Sequence, residues 1–194
     1  MQKKNVYIYL FDGFSDWEIA YLTPELKKNK EINLLTFSDT GKSVFSMGGL
    51  EVIPNISSAD IDISGIDLLL LPGGFIWETN NPDQINVDCL VEKVYLNKKS
   101  IAAICGATIY LARKGYLNNI EHTSNDLNYL KMVAPEYKGE QYYQNQLAVS
   151  HNQIITANGI APIEFAQKIL EELKFDGDYV DKWFQLFKNG IWSE

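Results

Sequence analysis

The chain holds two cysteines, and their surroundings differ. Cys105 lies in SIAAICGATIYLARKG, residues 100–115. Residues suited to a buried strand run straight into the cysteine. A glycine follows, then a helical stretch closed by Gly115. A thiol at a helix N-terminus feels the positive end of the macrodipole, which favours the thiolate. Gly106 and Ala107 are small enough for the tight strand-to-helix turn that holds a nucleophile out of a sheet, and the Gly106 N–H points into the same space. The competing reading is a small apolar residue buried for packing. Cys89 sits inside INVDCLVEKVYL, a stretch of helical spacing, and there the packing reading is the stronger one.

Three further groups bear on a thiol at position 105. In LLLLPGGF, residues 68–75, Pro72 stops a strand, and Gly73 and Gly74 let the backbone approach a ligand. The N–H groups of this turn can form an oxyanion hole, although Pro-Gly-Gly makes a plain turn as well. In DGFSDWE, residues 12–18, Ser15 and Glu18 have the spacing of a capping box. Alternatively, Glu18 faces the sulfur: ionised, it repels the thiolate, and protonated, it donates a hydrogen bond to it. His122, in EHTSND, is a candidate base or imidazolium partner, since such partners are near in space and not in sequence. Ser124 or Asn125 is a candidate cap for the next helix. His151 falls between two strand-like runs and reads as an exposed turn residue.

The elements that must position these groups alternate. NVYIYLF, EINLLTFS, IDLLLLPGG and SIAAIC read as strands; KSVFSMGGLEVIPN reads as a hairpin turning near Gly48-Gly49; NNIEHTS offers a short strand; QLAVSHNQIITANG reads as two strands around His151-Asn152. Helical spacing marks DWEIAYLTPELKKN, with a break near Thr23-Pro24, then DQINVDCLVEKVYLNKK, GATIYLARKG, NDLNYLKMVAP, APIEFAQKILEEL and DYVDKWFQLFKNG. This alternation predicts one domain over residues 1–194, a three-layer α/β/α sandwich around a mostly parallel, doubly wound sheet. In such sheets ligands bind outside the carboxyl ends of the strands. DGFSDWE, PGGF, CGAT and HTSN all follow predicted strands. The aromatic tail reads as a helix packed on the body, or as a lid or oligomer contact.

Bulk properties narrow the function. Hydrophobic residues make up 46% and charged residues 22% of the 194, enough for a sizeable core. A net charge of −8 argues against nucleic acid, which needs a basic face. No apolar run approaches the roughly 20 residues that span a bilayer. The start of the chain lacks a secretory signal pattern, and two unpaired thiols suit the cytoplasm. Two histidines, with neither cysteine in a C-x-x-C pair, give no zinc pattern, and DGFSD is no phosphate loop. No metal or cofactor is expected.

Taken together, VYIYLFDGFSDWEIA, IDLLLLPGG, SIAAICGATIYLARKG, EHTSND and IITANGIAPIEFAQKILEEL cover nearly the whole chain in an order that resembles the ThiJ/PfpI superfamily, on the flavodoxin-like fold of class I glutamine amidotransferases. The resemblance implies a nucleophile at Cys105, an acidic partner at Glu18, oxyanion donors at Gly74 and Gly106, and a nearby histidine at His122. It also implies a homodimer without an organic cofactor. The protease branch places histidine directly after the elbow cysteine, where this chain has Gly106. The glutaminase His-x-Glu pair has no counterpart at His151 or His122. Both departures count against those two activities. The expectation is a cysteine-dependent hydrolase or lyase for a small carbonyl, amide or nitrile-like substrate, with Phe14, Trp17, Phe75, Trp77 and Ile109 as pocket walls. The alternatives are a redox-responsive stress protein whose Cys105 is oxidised, and a non-catalytic binding module.

Overall fold

The computed structural model describes residues 3–79 and 87–192. Seven strands form the main sheet, in the order β5-β2-β1-β6-β7-β9-β8. They are β1 (Lys4–Tyr9), β2 (Ile32–Ser38), β5 (Ile56–Ser57), β6 (Leu68–Leu71), β7 (Ser100–Ile104), β8 (Ala148–His151) and β9 (Ile154–Ala157). All neighbours are parallel except β8 and β9. β6 and β7 are buried at every position, as a central parallel strand covered on both faces must be. β3 (Val44–Phe45) and β4 (Glu51–Val52) form the expected hairpin.

One helical layer comprises α1 (Leu22–Lys28), α5 (Pro162–Glu172) and α6 (Gly177–Asn189). The other comprises α2 (Asp88–Leu96), α3 (Gly106–Arg113) and α4 (Leu127–Val133). Pro24 lies in the first turn of α1, where its missing N–H costs nothing. The stretch before it is therefore not helical throughout: Asp16–Glu18 form one 3-10 turn and α1 starts at Leu22. α2 begins at Asp88, and the expected start of this helix at residues 83–86 lies outside the described residues. Leu90, Val91 and Val94 supply its buried face, which leaves Cys89 exposed and corrects the packing expectation. The expected strand at NNIEHTS shrinks to a single bridge between His122 and Tyr143. α6 packs on α5 through the buried Val180 and Trp183, so the aromatic tail is held against the body. Among the described residues no helix is long and apolar enough to cross a membrane.

The β8–β9 hairpin shows how local chemistry sets register. Asn152 and Gln153 both take positive φ, 49° and 63°, the two-residue turn that matches strand twist. That fixes β9 beside β7 and delivers residues 158–160 to the carboxyl edge of the sheet, next to the end of β7.

Candidate functional site

β7 enters α3 through Cys105, whose φ of 58° and ψ of −126° lie in a region that side chains rarely adopt. Such a conformation costs on the order of 1–3 kcal/mol and persists only where its surroundings over-determine it. They do so here. The Cys105 N–H donates to the Ala157 carbonyl at 3.0 Å. The Thr108 N–H and hydroxyl both donate to the Cys105 carbonyl, at 3.1 and 2.6 Å. The Thr108 and Ser124 hydroxyl oxygens are 2.6 Å apart, which braces the elbow against the loop that follows His122.

Glu18 reaches the site from the turn after β1. The capping box does not form: Ser15 makes no side-chain cap bond, and the Glu18 carboxyl turns inward and is fully buried. Its Oε2 accepts the Gly73 N–H at 2.5 Å. Its Oε1 is buried without a hydrogen-bond partner. Gly73 has to be glycine at this point, because a Cβ there would stand 2.7 Å from both carboxyl oxygens and from the Cys105 Cβ. Burial raises the Glu18 carboxyl to about 7, against smaller opposite pulls from the Gly73 N–H and from nearby Cys105 and Ser15. Burial first, then the Glu18 charge, pushes the Cys105 thiol up to about 11; Asn125 and the Gly106 N–H pull it down. The resting thiol is therefore protonated at neutral pH, whatever the helix N-terminus contributes. A thiolate is reached with its proton held on Glu18.

The sulfur has a second polar neighbour. Asn125 Nδ2 donates to Cys105 Sγ at 3.3 Å, and Asn125 Oδ1 accepts the Gly159 N–H at 2.8 Å. Gly159 also crowds the sulfur, since a Cβ there would lie 2.8 Å from Sγ. Trp17 Nε1 donates to the Gly159 carbonyl at 3.3 Å from the other side of the crevice. The Gly106 N–H faces the sulfur, and the Gly74 N–H has no acceptor among the described residues.

His122 is not brought to Cys105. It is fully buried, with Nδ1 2.7 Å from the Ile120 carbonyl and Nε2 2.6 Å from the Tyr137 hydroxyl. Each ring nitrogen is thus occupied: Nδ1–H donates to the carbonyl, and Nε2 accepts from the phenol. Burial lowers the imidazole below its ordinary value, so it stays neutral. This corrects the expectation of a catalytic histidine. The pocket walls are corrected too. Phe14, Trp77 and Ile109 are core residues, and Trp77 Nε1 is satisfied by the Pro72 carbonyl at 2.7 Å. Phe75 is 71% exposed but lines a neighbouring groove of about 680 Å³ with Tyr9, Asp12 and Lys42. Only Trp17, 45% exposed, stands at the sulfur's own crevice. His151 is partly exposed and accepts the Glu121 N–H at 2.9 Å, away from the site.

Residues 4–172 match the DJ-1/PfpI family. The chain belongs to that family. A relative from Bacillus subtilis strain 168, the uncharacterized protease YoaZ, is 40% identical over 199 residues, covering 97% of this chain and 92% of its own. The solved thiJ/pfpI family protein of Bacillus anthracis is 38% identical with a TM-score of 0.88, covering 98% and 93% of the two chains. The DJ-1 superfamily protein Atu0886 of Agrobacterium tumefaciens is 34% identical with a TM-score of 0.86, covering 95% and 97%. These likenesses match the mostly parallel sheet flanked by helices seen in this DJ-1/PfpI chain.

Proposed function

We propose that the chain is a cysteine-dependent hydrolase or lyase for a small carbonyl, amide or nitrile-like substrate. The observation that carries this reading is the buried, unpartnered Oε1 of Glu18 beside a thiol held on a strained elbow. A buried acceptor left without a donor is costly, and the protonated Cys105 thiol is the donor beside it. Cys105 Sγ attacks the electrophilic carbon as its proton passes to Glu18 Oε1. The C–S bond forms while the carbon–heteroatom π pair moves onto the substrate oxygen or nitrogen. The N–H groups of Gly74 and Gly106 hold that developing charge. Protonated Glu18 then returns the proton to it. For an amide, the proton goes to the nitrogen, the C–N bond breaks to release amine, and water then cleaves the resulting thioester to acid and thiol; for a nitrile, water adds to the thioimidate carbon and the C–S bond breaks to release amide and thiol.

The name of the Bacillus subtilis relative includes the word protease. In this chain Gly106 follows the nucleophile, and His122 has both nitrogens bonded elsewhere. All proton transfer therefore falls on one carboxyl, which suits addition to small electrophiles better than expulsion of a peptide amine. Cys105→Ser is expected to lower turnover of a panel of small aldehydes, amides and nitriles by about 10³-fold or more. Turnover unchanged in that variant overturns the reading.

The same unspent oxygen supports a second reading, redox response. A peroxide transfers one oxygen to the thiolate and leaves as hydroxide, giving a sulfenic acid that protonated Glu18 can hydrogen-bond. Mass spectrometry after mild peroxide treatment decides it: selective oxidation of Cys105 over the exposed Cys89 supports this reading, and equal oxidation counts against it.

A further inference from the structure

We propose that Asn125 is a catalytic residue: its side-chain amide is the hydrogen-bond donor that holds the Cys105 thiolate, in the place where a histidine was expected. Resting on the reading of Cys105 as nucleophile, it gives a catalytic role to a residue that the sequence offered only as a helix-cap candidate.

An amide side chain can turn either its oxygen or its nitrogen toward a sulfur, and only the nitrogen favours the thiolate. Here the choice is made by the backbone. The Gly159 N–H, at 2.8 Å, can only donate, so the atom facing it must be Oδ1. The atom 3.3 Å from Sγ is then Nδ2, a donor. Position 125 is itself fixed from two sides. Asn158 Nδ2 donates to the Asn125 carbonyl at 2.9 Å, and Asp126, not Asn125, caps α4 by accepting the Tyr129 N–H at 2.8 Å. Had Asn125 been the cap, its side chain would face the helix and not the sulfur. One residue of offset therefore frees the amide for the site.

A neutral amide cannot shuttle a proton, so its contribution is to the stability of the thiolate alone. Other groups facing the sulfur are few. Glu18 bears on it from the turn after β1. From α4, Tyr129 couples weakly to Cys105 and is itself turned toward Glu78, with Arg113 near. From the loop after β9, the neighbour is Gly159, which has no charge. Asn125 is thus the one neutral side-chain donor on the sulfur among the described residues.

The test is the pH dependence of iodoacetamide alkylation at Cys105, read by mass spectrometry with exposed Cys89 as internal control. Asn125→Asp keeps an oxygen for the Gly159 N–H while removing the donor and adding a negative charge. The alkylation rate at pH 7.5 is expected to fall more than about tenfold, with the titration moved to higher pH. Asn125→Ala is expected to lose roughly three- to tenfold with a smaller move in the same direction. The neutral Ala variant separates a lost donor from an added charge: a wild-type titration in it overturns the proposal. Should the Ala variant not fold, Asn125→Leu, a neutral side chain of similar size without a donor, takes its place, and a wild-type titration in it likewise overturns the proposal. Alkylation needs no turnover, so a Cys105→Ser protein that still turned over substrate would remove the hydrolytic reading and leave this result standing.

Discussion

Two buried polar residues, His122 and Glu18, were expected to share the chemistry of the elbow, yet they are built in opposite ways. His122 has each ring nitrogen paired, one to the Ile120 carbonyl and one to the Tyr137 hydroxyl, with the Tyr137 and Tyr143 rings edge-on to it. Glu18 has one oxygen paired and the other bare against a thiol. Both are desolvated, and burial shifts both away from their charged forms. What separates them is the surplus. A satisfied buried group fixes a loop, whereas a half-satisfied one stores the free energy that a proton can release.

Glu18→Gln breaks this comparison with the largest effect. Glutamine keeps a carbonyl for the Gly73 N–H and loses the proton acceptor, so turnover is expected to fall by about 10²-fold or more. Stability should move the other way. A carboxyl raised from 4.5 to about 7 on folding binds a proton that the unfolded chain does not hold. Its stabilising contribution is therefore full below pH 4.5 and is lost as pH rises through about 7. Removing it should flatten that slope and leave the variant more stable than wild type by about 3 kcal/mol at pH 8.5. Urea unfolding across pH checks this, and a variant with the wild-type slope would show that Glu18 is not the buried acid.

His122→Ala sharpens the contrast from the other side. It leaves the Tyr137 hydroxyl and the Ile120 carbonyl unpaired and should cost about 2–4 kcal/mol. The alkylation profile of Cys105 should stay as in wild type once the protein is folded. The pH sign is opposite to that of Glu18. Burial lowers the imidazole, so the unfolded chain takes up a proton near pH 6.5 that the folded one refuses, and stability falls as pH drops below that value. The variant should lack this acid loss. A moved Cys105 titration would return His122 to the site.

How much of this was legible in the sequence follows the same division. Uninterrupted runs such as LLLL and SIAAI announced central strands because burial on both faces leaves no alternation to misread. Gly73, Gly74 and Cys105 were legible because a strand end, a glycine and a helix start are all encoded locally. The Ser15–Glu18 spacing misled: a capping box and a buried acid share that pattern, and only the depth of the crevice behind β1 decides between them. Asn125 and Gly159 were out of reach. They meet across 34 residues because the Asn152-Gln153 turn sets the register of β9. Trp77 was placed in the pocket on its size, whereas its Nε1 partner, the Pro72 carbonyl, lies five residues back and draws it into the core.

The smallest expected effect tests whether the crevice's outer wall belongs to the reacting side of the comparison or to the structural one. Trp17 is adjacent to Glu18 in one 3-10 turn and donates to the Gly159 carbonyl from an exposed position. A solvent-exposed neutral hydrogen bond contributes little, so Trp17→Phe should cost under about 1 kcal/mol of stability. The same bond helps hold Gly159, whose N–H orients Asn125 and whose Cα borders the sulfur. Loosening it should raise KM for a small substrate a few-fold, with kcat nearly unchanged, because a crevice wall binds ground state and transition state alike. A kcat loss comparable to that of Glu18→Gln would instead place Trp17 in the proton-transfer machinery and erase the distinction between groups that position the thiol and the one group that takes its proton.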